Sequence, residues 1–116
     1  MTMTDSTIAD NAATGQEVAL GAGIFIVLGS TQTITRTVIT HNSATGSAGA
    51  GDGGGIFTAA ENTHDTLALT KVYVVENEAS PGSAGGISNQ GTLQLAGTII
   101  KDNSGFNCKG GFGCPP

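Results

Sequence analysis

Apolar and polar residues alternate along this chain in short bursts, and the bursts recur. Met1-Thr2-Met3-Thr4, Leu67-Ala68-Leu69-Thr70 and Leu93-Gln94-Leu95-Ala96 each place two apolar residues two positions apart. In a β-strand, positions i and i+2 share a face, so each burst predicts a short strand with one buried side. A second short strand rich in Thr, Val and Ile follows, then an Asn, then a glycine-rich turn ending in an aliphatic or aromatic residue. The asparagines are Asn11, Asn42, Asn77 and Asn103. The turns are Gly21-Ala22-Gly23-Ile24, Gly53-Gly54-Gly55-Ile56, Ala84-Gly85-Gly86-Ile87 and Lys109-Gly110-Gly111-Phe112. The asparagines lie 31, 35 and 26 residues apart, a period that predicts stacked repeats, each covering the apolar face of the next.

Setting the asparagines in register produces further columns. Met3, Ile34, Leu69 and Leu95 form one, and Ile8, Ile39, Val74 and Ile100 a second. Met1, Gln32, Leu67 and Leu93 form a third, and Ile24, Ile56, Ile87 and Phe112 a fourth. Gln32 departs from its apolar column, which predicts either a solvent-edge position or a local shift of the second repeat. The Asn column suits a stacked turn: where the chain leaves a strand its backbone groups lose ladder partners, and an inward amide can bond those groups and the Asn above it. Turn formation alone would also select Asn. Both readings are structural.

The segment Gly85-Gly86-Ile87-Ser88-Asn89-Gln90-Gly91-Thr92-Leu93-Gln94-Leu95, continuing through Thr98-Ile99-Ile100-Lys101-Asp102-Asn103, resembles the repeat of right-handed parallel β-helix proteins. It is similar to the Gly-Gly-Gly-Ile repeats of bacterial polymorphic outer-membrane and adhesin-type surface proteins, which share the pectate-lyase-like fold. The resemblance implies an all-β, right-handed parallel β-helix of about four rungs, with three short strands per rung. It makes residues 1–116 a single domain, with rungs at about 1–30, 31–65, 66–91 and 92–116. It implies a secreted or cell-surface setting. It does not fix an activity, because the same fold hosts adhesins, polysaccharide lyases and structural spikes. The lyases pair a basic residue with Ca²⁺-holding acids, and Arg36 has no such matched set.

Composition narrows the partners. Only 11% of residues are charged, against about 25% in an ordinary domain. Nineteen glycines cluster at fixed points of the repeat, as turns rather than a flexible linker. The net charge is −5 with four Lys and Arg, so no basic patch for nucleic acid is expected. No apolar run approaches the roughly 20 residues of a membrane span, and residues 1–5 lack the basic and apolar parts of a secretory signal. The start on a strand suggests a piece of a longer array or a short gene descended from one.

Function on a regular scaffold tends to sit where the regularity breaks. The Asn-to-Ile segments span 13, 14, 10 and 9 residues, and the connections to the next strand 8, 11 and 6. The second repeat has the longest of both, in loops 43–52 and 58–65, and it holds both histidines, His41 and His64. The residues before each Asn are Asp10, His41, Glu76 and Asp102. Strands about 4.8 Å apart would set His41 between two carboxylates. Such groups are candidates for acid–base catalysis, or for a divalent metal at His41 and Glu76. The plainer reading is a solvated turn column in which His41 relieves carboxylate repulsion. His64 beside Glu61 and Asp65 is a looser cluster, read as loop solvation. Asp5, Arg36, Lys71 and Gly97 form an adjacent column, read as structural. Outward Thr2, Thr4, Thr33 and Thr35 invite comparison with ice-binding ladders, but Ala68 and Gln94 interrupt the series.

Cys108 and Cys114 suit a small disulfide loop closing the last repeat, with free thiols or half a zinc site as alternatives. Pro115 and Pro116 then end strand pairing. At the other end, Val18-Ala19-Leu20 folds over the first repeat, or chains pair and bury that edge. The leading expectation is a self-associating structural or adhesive module, with homo-oligomer contacts through open ends or edges and a carbohydrate or surface ligand, and no required cofactor. The rivals are a weak hydrolase or lyase on the Asp10/His41/Glu76/Asp102 column, with a divalent metal as an option, and a filament subunit.

Overall fold

The computed structural model describes residues 1–46, 51–61, 64–81 and 84–115. These contain strands and turns and no helix. The first repeat supplies β1 (Thr2–Thr4), β2 (Thr7–Ala9), β3 (Ala12–Gly15), β4 (Ala19–Leu20) and β5 (Ile24–Leu28). The second supplies β6 (Thr31–Thr35), β7 (Val38–Thr40), β8 (Ser43–Gly46), β9 (Gly51–Asp52) and β10 (Ile56–Ala60). The third supplies β11 (Thr66–Thr70), β12 (Tyr73–Val75), β13 (Glu78–Ser80) and β14 (Ile87–Ser88). The fourth supplies β15 (Thr92–Ala96), β16 (Ile99–Lys101) and β17 (Cys108–Lys109).

Every strand pairs in parallel with its counterpart one repeat away. Three sheets run through all four repeats: β1-β6-β11-β15, β2-β7-β12-β16 and β5-β10-β14-β17. A three-stranded sheet, β3-β8-β13, and a two-stranded one, β4-β9, serve the earlier repeats alone. The expectation of three strands per repeat thus describes only the sheets shared by all four. The residues after Asn11, Asn42 and Asn77 also pair, through β3, β8 and β13, and β4 pairs with β9 in the two repeats whose segments after the Asn are longest.

The pairings reproduce the expected columns. Ile34 pairs with Met3 and Leu69, and Leu69 with Leu95. Ile39 pairs with Ile8 and Val74, and Val74 with Ile100. Alternation sends these side chains inward, and Ile34, Ile39, Ile56, Leu67, Val74 and Ile87 are fully buried. Each such side chain contributes on the order of 1.5–3 kcal/mol by leaving water. Gln32 stays in register opposite Leu67, half-buried, and its Oε1 accepts from the ammonium of Met1. It therefore sits at the edge, without a local shift.

The asparagines form a continuous ladder. Nδ2 of Asn11 donates to Oδ1 of Asn42 at 2.9 Å, Asn42 to Asn77 at 3.0 Å, and Asn77 to Asn103 at 3.0 Å. The backbone N–H of Asn11, Asn42 and Asn77 donates to the same oxygens. Each later amide also donates back to a carbonyl of the previous repeat: Asn42 to Ile8, Asn77 to Ile39 and Asn103 to Val74. The ladder explains the glycines. A Cβ on Gly23, Gly55 or Gly86 would lie 3.0, 3.1 or 2.9 Å from Nδ2 of Asn42, Asn77 or Asn103, and closer still to a carbonyl of the next repeat. The two sequence signatures are thus one packing contact seen from its two sides.

Three expectations are corrected. Phe112 does not join the Ile24/Ile56/Ile87 column; Cys108 pairs with Ile87 instead, and Phe112 is exposed. Asn107-Cys108-Lys109 lies where Gly86-Ile87-Ser88 lies in the third repeat, because Asn107 closes the ladder and draws the chain in early. Met1 is about half exposed rather than inward, since only one neighbouring strand reaches it. Val18-Ala19-Leu20 covers no end: Ala19 and Leu20 pair with Gly51 and Asp52, and Val18 is exposed.

Candidate functional site

Asp10, His41, Glu76 and Asp102 occupy equivalent corners. All four have left-handed backbone, with φ of 59°, 56°, 56° and 57°. Non-glycine residues visit this region sparingly, with Asn, Asp and His enriched. The corner turns the chain out of the second strand and points the following Asn inward. The adjacent column repeats the device: Asp5, Arg36, Lys71 and Gly97 have φ of 51°, 47°, 54° and 56°. Backbone geometry therefore accounts for the position of both columns.

Within the candidate column only one pair meets. Nε2 of His41 lies 3.1 Å from Oε2 of Glu76, both side chains more than half exposed. Nδ1 of His41 lies 2.9 Å from the Thr40 hydroxyl. A carboxylate can only accept, so Nε2 donates to Glu76 while Nδ1 faces the Thr40 hydroxyl. Both nitrogens are thereby engaged. Asp102 turns sideways to Lys101, with Nζ to Oδ2 at 4.0 Å, and Asp10 forms no ion pair among the described residues. An open groove runs past His41, Glu76, Asn77, Glu78, Asp102, Asn103 and Ser104. Among the described residues no three His, Cys, Asp or Glu side chains gather as a metal centre requires. His41 and Glu76 could offer two ligands, short of the usual three or four.

The second cluster does not assemble either. His64 and Glu61 are exposed, whereas Asp65 is buried and its carbonyl accepts from Thr92 at 2.8 Å. Residues 62–63 of that loop, residues 47–50 of the other long loop, and Pro116 lie outside the described residues. Asp5 and Arg36 form a two-pronged ion pair, with Nε to Oδ1 at 2.6 Å and Nη2 to Oδ2 at 3.1 Å. The hydrogen bond from Arg36 holds the Asp5 carboxyl below its ordinary range.

Three structural residues carried no clear signal in the sequence. Asn107 accepts from Asn103 through N at 3.0 Å and Nδ2 at 3.1 Å, ending the ladder from four residues away. Asn89 accepts from Thr58 Oγ1 at 2.7 Å and donates to the Gly91 carbonyl at 2.9 Å. Asp52 accepts from the N–H of Gly53 and Ala84 and from Ser88 Oγ, with Lys109 Nζ at 3.6 Å, tying three repeats together. Cys108 and Cys114 form a disulfide, so the free-thiol and zinc alternatives are set aside. Searches for a matching family, a related curated protein and a similar solved structure found no match.

Proposed function

We propose that the chain is a right-handed parallel β-helix module of a secreted or cell-surface protein, structural and adhesive rather than catalytic. The observation that carries this reading is the use made of the repeated polar columns. The asparagines bond one another and the backbone, and the corner residues supply left-handed turns. The parallel pairing of each strand with the next repeat supports the helical winding. The disulfide fits an oxidising compartment. Exposed apolar side chains on β5, Phe25 at 50% and Val27 at 67%, favour self-association through that face. A filament would be the extended form of the same contact.

The test has two arms. Sedimentation at micromolar concentration should show a species larger than the monomer, and monomer alone refutes self-association. The purified chain should bind surfaces bearing glycans or matrix protein and show no turnover on polysaccharide, ester and phosphate panels. The His41–Glu76 pair favours the rival, a weak hydrolase or lyase. Turnover that chelator or His41→Ala abolishes would establish the rival and overturn the module reading.

A further inference from the structure

The chain has four cationic side chains, Arg36, Lys71, Lys101 and Lys109. Three face carboxylates: Arg36 meets Asp5, Lys101 meets Asp102 and Lys109 meets Asp52. Lys71 alone has no carboxylate partner among the described residues. Its left-handed corner sets the direction in which the side chain leaves the backbone, and its stem runs beside Gly97, where a Cβ would lie 3.6 Å from Lys71 Cγ. In an acidic protein of net charge −5, this is a local excess of positive charge.

An apolar column stands next to it. Val38, Tyr73 and Ile99 pair in register on β7, β12 and β16 and are 36%, 49% and 41% exposed. Tyr73 is the only tyrosine of the chain. Between the two columns runs a groove of about 270 Å³ lined by Arg36, Thr37, Val38, Lys71, Tyr73 and Gly97. It opens at Gly97 because that corner carries no side chain, while the strands beneath hold its walls at fixed spacing.

We infer that this groove binds a sugar ring carrying one anionic substituent, a carboxylate or a sulfate. The aliphatic face of the ring lies against Tyr73 and Val38, and the anion meets the Lys71 ammonium. Arg36 adds Nη1 at one end, its Nε and Nη2 being held by Asp5. The volume falls just below the usual range for ligand pockets, about 300–1,000 Å³, so it suits one ring rather than an extended chain. The open side suits a ligand whose outer face stays hydrated. The inference rests on the adhesive reading and gives that surface a ligand class.

Tyr73 makes the test direct: with one tyrosine and no tryptophan, intrinsic fluorescence reports this groove alone. The full chain is titrated with glucuronate, glucose 6-sulfate and glucose, with methyl chemical shifts of Val38 as a second readout. Saturable changes are expected with one or both anions, in the millimolar range of a shallow single-ring contact, and the tighter one names the anionic group. Glucose should give no saturation up to about 50 mM. Lys71→Asn keeps a residue that tolerates the left-handed corner and should weaken anion binding about fivefold or more. Gly97→Asn should block the groove. No saturation with either anion, an equal response to glucose, or unchanged binding in a folded Lys71→Asn overturns the inference. Adhesion that persists while anion binding is absent sinks the groove alone. Anion binding without any adhesion sinks the module reading alone.

Discussion

Replacing Asn77 by alanine tests the ladder where it is most enclosed. Asn77 is 1% exposed. Its Oδ1 accepts from N and Nδ2 of Asn42 at 3.1 and 3.0 Å, and its Nδ2 donates to Ile39 O, Asn103 Oδ1 and Val75 O at 2.9, 3.0 and 3.1 Å. Alanine removes both functions. The buried N–H of Asn42 then loses its acceptor, and one amide hydrogen of Asn42 loses its ladder partner. An orphaned buried donor costs about 1–3 kcal/mol, and the vacated amide volume adds a packing loss. We expect Asn77→Ala to lower stability by about 3–5 kcal/mol, a large part of the roughly 5–15 kcal/mol typical of a domain. Asn11→Ala is the matched control, because Asn11 is exposed and only donates to Asn42. It should cost about 0.5–1.5 kcal/mol. Urea denaturation at constant m-value separates the two. Equal costs for Asn77→Ala and Asn11→Ala would refute the claim that the ladder is a main support of the stack.

Three further outcomes are expected. Gly86→Ala places a Cβ 2.1 Å from the Asn107 carbonyl and 2.9 Å from Asn103 Nδ2, so it should lower the urea midpoint far more than Gly29→Ala, where nothing lies within 4 Å. Asp52→Ala removes the acceptor of Gly53 N, Ala84 N and Ser88 Oγ, and should cost about 2–4 kcal/mol by the same denaturation. Asp5 has a folded pKa below its ordinary value of 3.8 because Arg36 donates to it; its contribution is therefore complete above that value and is lost as pH falls through the folded one. An NMR titration should show the Asp5 midpoint rising in Arg36→Asn, and an unchanged midpoint would contradict the pairing.

The all-β architecture and its parallel sheets were legible because two independent periods coincide. Alternation within strands gave the inward face, and the Asn spacing gave the register, so Met3, Ile34, Leu69 and Leu95 aligned without coordinates. The fourth repeat misled because its glycines, Gly110 and Gly111, look like those of the other turns. The residue in register with Ile87 is instead Cys108, because Asn107 folds back onto Asn103. A contact four residues apart leaves no period to read. Asp52 was hidden for a different reason: its partners Ala84, Ser88 and Lys109 are distant in sequence and share no motif with it. For the candidate column, adjacency was legible but direction was not. The alignment put Asp10, His41, Glu76 and Asp102 together, whereas rotamers and the competing pull of Lys101 and Thr40 left one close pair.

The amide ladder has a direction. Each side-chain link passes a hydrogen from an earlier repeat to a later one, so every internal junction presents the same donor face to the same acceptor face. A duplicated copy of residues 66–91 inserted before Thr92 would meet a compatible neighbour on either side, and the number of repeats becomes a quantity that gene duplication can change without redesigning an interface. Asn107 breaks the pattern. By accepting from N and Nδ2 of Asn103 within the fourth repeat, it satisfies that amide locally, where the other junctions use the asparagine of the neighbouring repeat.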